Sequence, residues 1–254
     1  MNIVPEWALS GLHNVVWKLL LEKMPPDKQI GSRVLDVGAG PGEFSSRLSD
    51  AGFVAIACDQ DESVFCGKCH KFISCNLNGD WFSAVKGEGP YDAIVAQEVI
   101  EHIENPSLFI RDMASLLKPG GFCLLTSPND QDKASRIDFL FHGELPWFRL
   151  ENLSGTGHQT PMFVELIYLM ALTAGFELKG FYGYGKRAPM KLNWRGRLFE
   201  RYLDRKMTGS CLHNVINIWA FQLNNTAMRG LSHLDPRVLA EAKEWVKMPC
   251  TVVD

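Results

Sequence analysis

A short apolar run, Arg33 to Val37, breaks directly into Gly38-Ala39-Gly40-Pro41-Gly42, and helical spacing resumes at Phe44 and Leu48. A glycine-rich turn between strand and helix does two things. Its missing Cβ atoms let backbone approach a ligand closely, and the helix start aims amide N–H groups at it. Dinucleotide-binding proteins use this device too, with the spacing G-x-G-x-x-G. Here Gly38, Gly40 and Gly42 give G-x-G-x-G, and Asp36 stands two residues before the first glycine. A carboxylate there repels a pyrophosphate but suits an ammonium group. The turn alone leaves two cofactor classes open.

Around this unit, apolar runs and helically spaced segments alternate. Leu9, Leu12, Val16 and Leu19 predict an amphipathic helix from Pro5 to about Lys23, ended by Pro25-Pro26. Buried strands are expected at Arg33 to Val37, Val54 to Cys58, Phe72 to Cys75, Tyr91 to Ala96 and Phe122 to Thr126, with Gln60 to Ile73 a loop holding at most one helical turn. Asn105 as N-cap and Pro106 as first helical residue open a helix with Phe109, Ile110, Met113, Leu116 and Leu117 on one face. Lys118-Pro119-Gly120-Gly121 stops it. Thr160 and Pro161 start another helix, closed by Gly175; Phe176 to Tyr182 and Val215 to Leu223 read as two more strands, and Asp235-Pro236 opens a last helix to about Lys247.

These elements predict an α/β fold, an open, doubly wound Rossmann-like sheet of seven strands, with an N-terminal helix and an insertion before the last strand. The chain divides into a helical extension (1–30), the α/β domain (31–224, with a basic insertion at 186–212) and a helical tail (225–254). Such sheets bind ligands beyond the carboxyl ends of their strands. The glycine turn, Asp59, Asn76 and Gln97 all fall there. Asp59 is placed to accept hydrogen bonds from ribose hydroxyls; the plainer alternative is a strand-end cap.

Composition narrows the partners. A net charge of -3 gives no reason to expect a nucleic acid. The first 23 residues lack a basic start and an unbroken apolar run, and no stretch approaches the ~18 apolar residues that a membrane span needs. The expectation is a cytoplasmic protein whose 7 cysteines are reduced.

Three motifs then carry a resemblance. Val34-Leu35-Asp36-Val37-Gly38-Ala39-Gly40-Pro41-Gly42 resembles the first motif of class I methyltransferases that use S-adenosylmethionine (SAM). Tyr91 to Pro106 resembles their fourth-strand motif. Leu117-Lys118-Pro119-Gly120-Gly121 and Thr126-Ser127-Pro128-Asn129 match the turn into the fifth strand and its end. The likeness covers roughly residues 30 to 130 and continues loosely to about 180. It implies that Asp36, Gly38, Ala39 and Gly40 hold the methionine end of SAM, Asp59 the ribose, with Gln60 beside it, and Gln97 the carboxypropyl side. Asn76 and Leu77 fall at the adenine. Family members often carry Asp-Leu-Asn where this chain has Asn76-Leu77-Asn78; an amide oxygen still accepts the adenine amino hydrogen bond.

Glu98, Glu101 and His102 are spaced i, i+3 and i+4, which places them on one face of a helix. Two carboxylates and an imidazole suit a divalent cation such as Mg2+. Ubiquinone-pathway O-methyltransferases and small-RNA terminal 2′-O-methyltransferases are similar here and use such residues for a metal; His158 would complete the set. The alternative is His102 as a general base or acceptor orienter without metal.

Three further features have plain readings beside sharper ones. Cys66-Gly67-Lys68-Cys69-His70 spells a haem-attachment pattern that needs an exported chain, and with Cys75 nearby a zinc site is conceivable, but a loop that happens to contain cysteines is the favoured reading. Lys186 to Lys206 holds eight basic residues against Glu200 and Asp204, and suits an anionic partner or membrane surface, or else a solvated lid helix. Trp147 and Phe148 line an acceptor pocket or belong to the core. The resulting expectation is methyl transfer to oxygen of a small-molecule, glycan or lipid-linked acceptor. A SAM-binding scaffold without turnover and an NAD-dependent oxidoreductase are the alternatives.

Overall fold

The computed structural model describes residues 8–186, 198, 201–202, 214–224 and 228–253. Its strands are β1 (Arg33–Val37), β2 (Val54–Asp59), β3 (Lys71–Ser74), β4 (Tyr91–Ala96), β5 (Leu117–Pro128), β6 (Glu177–Lys186), β7 (Asn214–Gln222) and β8 (Thr251–Val253). They form one sheet in the order β3-β2-β1-β4-β5-β7-β6-β8. The strands β1 to β5 run parallel. Between β5 and β6, β7 runs antiparallel to both. Chain order reverses between β1 and β4, and the crevice at that switch point opens above the glycine turn.

The sheet has eight strands where seven were expected. The extra one, β8, is three residues long and lies parallel to β6 at the edge. Three residues carry no readable period. Most of the basic segment 186–212 lies outside the described residues.

Eight helices of four turns or fewer cover the sheet among the described residues: α1 (Leu12–Lys23), α2 (Glu43–Asp50), α3 (Trp81–Val85), α4 (Pro106–Leu116), α5 (Lys133–His142), α6 (Leu150–Gly155), α7 (Val164–Ala174) and α8 (Pro236–Val246). The first begins at Leu12 rather than Pro5, because Gly11 at φ 83° turns the chain into it. The Tyr184 hydroxyl donates to the Ser10 carbonyl (2.8 Å) and ties that entry to β6. None of these helices is long and apolar enough to cross a membrane.

Alternation along the parallel strands makes two cores. Leu35 and Val37 face a cluster with Trp81, Phe109, Tyr168 and Trp245 from α3, α4, α7 and α8. Val34 faces the opposite cluster, with Leu12, Val16 and Leu20 of α1 and Phe44 and Leu48 of α2. Asp36 shares the Val34 face and so points toward α2. The expected loop after β2 packs on the turn: a Cβ on Gly42 would strike the Phe65 ring, and the Cys66 amide donates to the Pro41 carbonyl (3.0 Å). The expectation of seven reduced cysteines fails at one position. Cys250 is disulfide-bonded, whereas Cys58, Cys66, Cys69, Cys75 and Cys123 are free thiols.

Candidate active site

A cavity of about 640 Å³ lies over the carboxyl ends of β1, β2 and β4, and every cofactor position read from the sequence lines it: Asp36, Gly38, Ala39, Gly40, Asp59, Gln60, Asn76, Leu77 and Gln97. Gly38, Gly40 and Gly42 take φ of 68°, 50° and 87°, a region that side chains disfavour. A Cβ on Gly38 would also run into Val99. The amides of Gly38 and Ala39 donate to the Cys58 carbonyl (2.9 and 3.1 Å), and the Gly40 amide donates to Asp59 Oδ2 (2.8 Å). The turn therefore gives close approach, and its first amides are spent on β2 instead of being aimed at an anion.

Asp36 is 3% exposed. Burial pushes its carboxyl up to about 6, with Asp59 and Glu43 adding, against a hydrogen bond from Ser45 Oγ (2.5 Å) and the charge of His13. Glu43 is in contact with His13 and accepts from Arg47 (3.1 Å). Burial raises the Glu43 carboxyl, but those two partners outweigh it and leave it below its ordinary value. Gln97 is nearly buried, and its Oε1 has no hydrogen-bond partner.

The far end of the cavity is acidic and imidazole-rich. Glu98 does not sit on a helix, as the i, i+3, i+4 spacing suggested. Its φ is 54°, and a 3-10 turn, Ile100–His102, follows. Thr126 Oγ1 receives the Glu98 amide (3.0 Å) and donates to its carboxylate (2.8 Å). Burial lifts Glu98 to about 7, with that Thr126 bond opposing. Glu101 is fully buried, and neither of its carboxylate oxygens makes a well-formed hydrogen bond; Ser127 and the backbone amide nearby offer only weak support. Burial, then the charge of Glu98, raises it well above the ordinary carboxylate range.

His158 arrives from a different part of the chain. The amides of Gln159 and Thr160 donate to the Glu101 carbonyl (2.9 and 3.0 Å), and Thr160 Oγ1 donates to the Ile103 carbonyl (2.7 Å). This clamp puts the His102 and His158 rings 4.9 Å apart. Nδ1 of His158 lies 3.1 Å from the Trp147 carbonyl. A carbonyl only accepts, so Nδ1 carries the hydrogen and Nε2 keeps its lone pair. Burial lowers both imidazoles; the Gly157 backbone opposes this at His102, and at His158 the charge of His102 adds to it.

Glu101, His102 and His158 offer ligand atoms all within 4.8 Å of one another, and among the described residues they are the one such group. Glu98, expected as a fourth member, is outside it, held by Thr126. Cys66, Cys69 and His70 are not brought together as ligands. Trp147 and Phe148 back the His158 ring (6.5 and 5.7 Å) and do not line the cavity. The sequence offered no signal for His13, Glu43 or Thr126. His13 reads as one polar position on an amphipathic helix, and Thr126 as strand.

The sequence profile of the family described as "Methyltransferase domain" matches residues 12–178, about two thirds of the chain and the whole of this cavity's lining beyond Leu9. The chain belongs to the methyltransferase domain family. Its fold is that of the class I SAM-dependent methyltransferases. A SAM-dependent methyltransferase from Archaeoglobus fulgidus superposes with a TM-score of 0.56 at 17% identity, over 83% of this chain and 94% of that one. The magnesium protoporphyrin IX methyltransferase of Synechocystis PCC 6803 with bound SAH gives 0.53 at 17% identity, over 84% and 83%. Among curated relatives, the ubiquinone biosynthesis O-methyltransferase of Caulobacter sp. (strain K31) is 32% identical over 110 residues, 41% of this chain and 44% of that protein. The mitochondrial enzyme of Homo sapiens with the same function is 26% identical over 140 residues, 50% of this chain and 37% of that protein. The match thus spans less than half the length of these curated relatives.

Proposed function

We propose that this methyltransferase moves the methyl group of SAM to an oxygen atom of a small-molecule, glycan or lipid-linked acceptor. In this reading the methionine ammonium meets Asp36, and its carboxypropyl side meets Gln97, where Oε1 awaits a donor. Asp59 keeps lone pairs for the ribose hydroxyls after accepting from Gly40 and Gln60 (2.8 and 2.6 Å). Asn76 and Leu77 border the adenine, the Asn76 oxygen using the lone pair left after the Asn78 amide bond (2.9 Å).

The observation that carries the acceptor half is Glu101. A buried carboxylate so weakly hydrogen-bonded is costly, and this one stands beside two imidazoles at the end of the cofactor cavity. The sulfonium already makes the methyl group reactive, so the protein's task is to align the acceptor with the methyl–sulfur axis and take up its proton. Neutral His102 is the base or orienter, with His158 beside it. Glu101, His102 and His158 also suit a divalent cation; two imidazoles favour Mn2+ or Zn2+ over Mg2+. Such a cation would polarise the acceptor oxygen. The ubiquinone O-methyltransferase relatives support oxygen as the acceptor atom. A cytoplasmic location, and contact of the basic segment 186–206 with an anionic partner, belong to the same reading.

The test feeds labelled SAM and the protein to a cell extract. A labelled product is expected, and Glu101→Ala and His102→Ala should each lower its formation at least about 100-fold. Cofactor binding with no labelled product would make the protein a scaffold. Activity unchanged by chelator would remove the cation from the account.

A further inference from the structure

Two thiols immediately precede the proposed ribose and adenine residues in the chain. Cys58 is the penultimate residue of β2 and precedes Asp59; Cys75 follows β3 and precedes Asn76. The strand register sets Cys58 opposite Ile73, so Cys75, two residues on, points to the same face. The two thiols are close enough to shift each other's charge, and both are free. Cys58 is fully buried, and Cys75 is half-buried against the same apolar cluster. Their backbones are wired into the site as well. The Cys75 amide donates to the Asp59 carbonyl (2.9 Å), and the Cys58 carbonyl holds the amides of Gly38 and Ala39.

We infer that Cys58 and Cys75 form a dithiol that hydroperoxides oxidise to a disulfide, and that this modification weakens cofactor binding. The inference rests on the placement of ribose at Asp59 and adenine at Asn76. The contact with Cys58 holds the Cys75 thiol below its ordinary value against the effect of burial, whereas the same contact and burial raise Cys58. Cys75 is therefore the attacking thiolate. It takes one oxygen of hydrogen peroxide, giving a sulfenic acid and releasing hydroxide. The Cys58 thiol then attacks that sulfur; the S–S bond forms, and the sulfenic oxygen leaves as water with the Cys58 proton. Peroxide is reduced, and the two thiols are oxidised.

Cys75 stands one residue past the end of β3 and two residues off register from Cys58, and a disulfide tolerates only a narrow Cα separation of about 4.4–6.8 Å. Closure therefore moves backbone. The strand that yields is β3, which is paired on one side only. Its displaced end carries Asn76 and Leu77 with it.

The test treats reduced full-length protein with hydrogen peroxide, maps disulfide-linked peptides by mass spectrometry and titrates S-adenosylhomocysteine (SAH) before and after. A Cys58–Cys75 linked peptide is expected, with SAH affinity at least about tenfold weaker and restored by dithiothreitol. Cys75→Ser should bind SAH as reduced wild type does and ignore peroxide; Cys58→Ala replaces it if that variant does not fold. A Cys66→Ser/Cys69→Ser pair should keep the full response, which separates this dithiol from the exposed loop thiols. Absence of the linked peptide, or a linked protein that binds SAH undiminished, overturns the inference. Reduced protein that binds no SAH overturns the cofactor placement, and the inference falls with its premise.

Discussion

Asp36 and Glu98 show how burial sets what single carboxylates do. Asp36 titrates at about 6 because burial disfavours its charge. The ionised form, which an ammonium group needs, dominates above that value. SAH affinity should therefore rise between pH 5 and 7 and level off above, as titration calorimetry across pH will show. Asp36→Asn should flatten the profile. Glu98 rises from 4.5 to about 7 for the same reason. The folded state keeps the proton to higher pH than the unfolded chain, so Glu98 makes the ligand-free protein lose stability as pH climbs through that window. At pH 8 the ionised carboxylate costs about 3 kcal/mol. Glu98→Gln should then raise Tm by about 6–12 °C at pH 8 and hardly at all at pH 4.5. An equal shift at both pH values would contradict this. The sequence made Asp36, Asp59 and Gln97 legible because each lies at or beside the carboxyl end of a buried strand. It could not reveal the Thr126 bond that turns Glu98 out of the ligand group, since that contact crosses from β4 to β5.

Two elements build the site, and both are backbone devices. The glycine turn works by what it lacks. Gly38→Ala puts a Cβ at φ 68° against Val99, and should weaken SAH binding at least tenfold while costing about 1–3 kcal/mol of stability. The second is the segment 157–160, which clips onto the 3-10 turn of Glu101 and His102. Thr160→Val deletes the bond to the Ile103 carbonyl, worth about 1 kcal/mol. Methyl transfer should fall several-fold with SAH affinity within threefold, measured by product formation beside calorimetry. Equal losses in both would show that the clip serves folding alone. Resemblance to a motif, rather than spacing, pointed to His158, because 55 positions separate it from Ile103 and only the folded clip joins them. Helices α5 and α6 went unread, since so many of their apolar residues are exposed (Phe139, Leu140, Phe141, Leu150) that no periodic contrast appears.

Across the whole molecule, the parallel half was readable from sequence because β1, β2, β4 and most of β5 are buried apolar runs, with Gly38 and Pro128 marking the ends of the first and last. The antiparallel edge was read less completely: β6 and β7 were visible, but β8 was too short to show. Four strands separate β8 from β1. Ending the chain after Lys247 should accordingly leave SAH affinity within about threefold of wild type, tested by titration of the shortened protein. The central claim is that the switch-point cavity is a SAM site organised by Asp36 and the glycine turn. Isothermal titration of SAH into the wild-type protein and Asp36→Asn at pH 7.5 tests it most directly. The account predicts one saturable site in the wild type and affinity at least tenfold weaker in the variant. No binding to wild type at millimolar SAH, or equal binding by the two proteins, would contradict it.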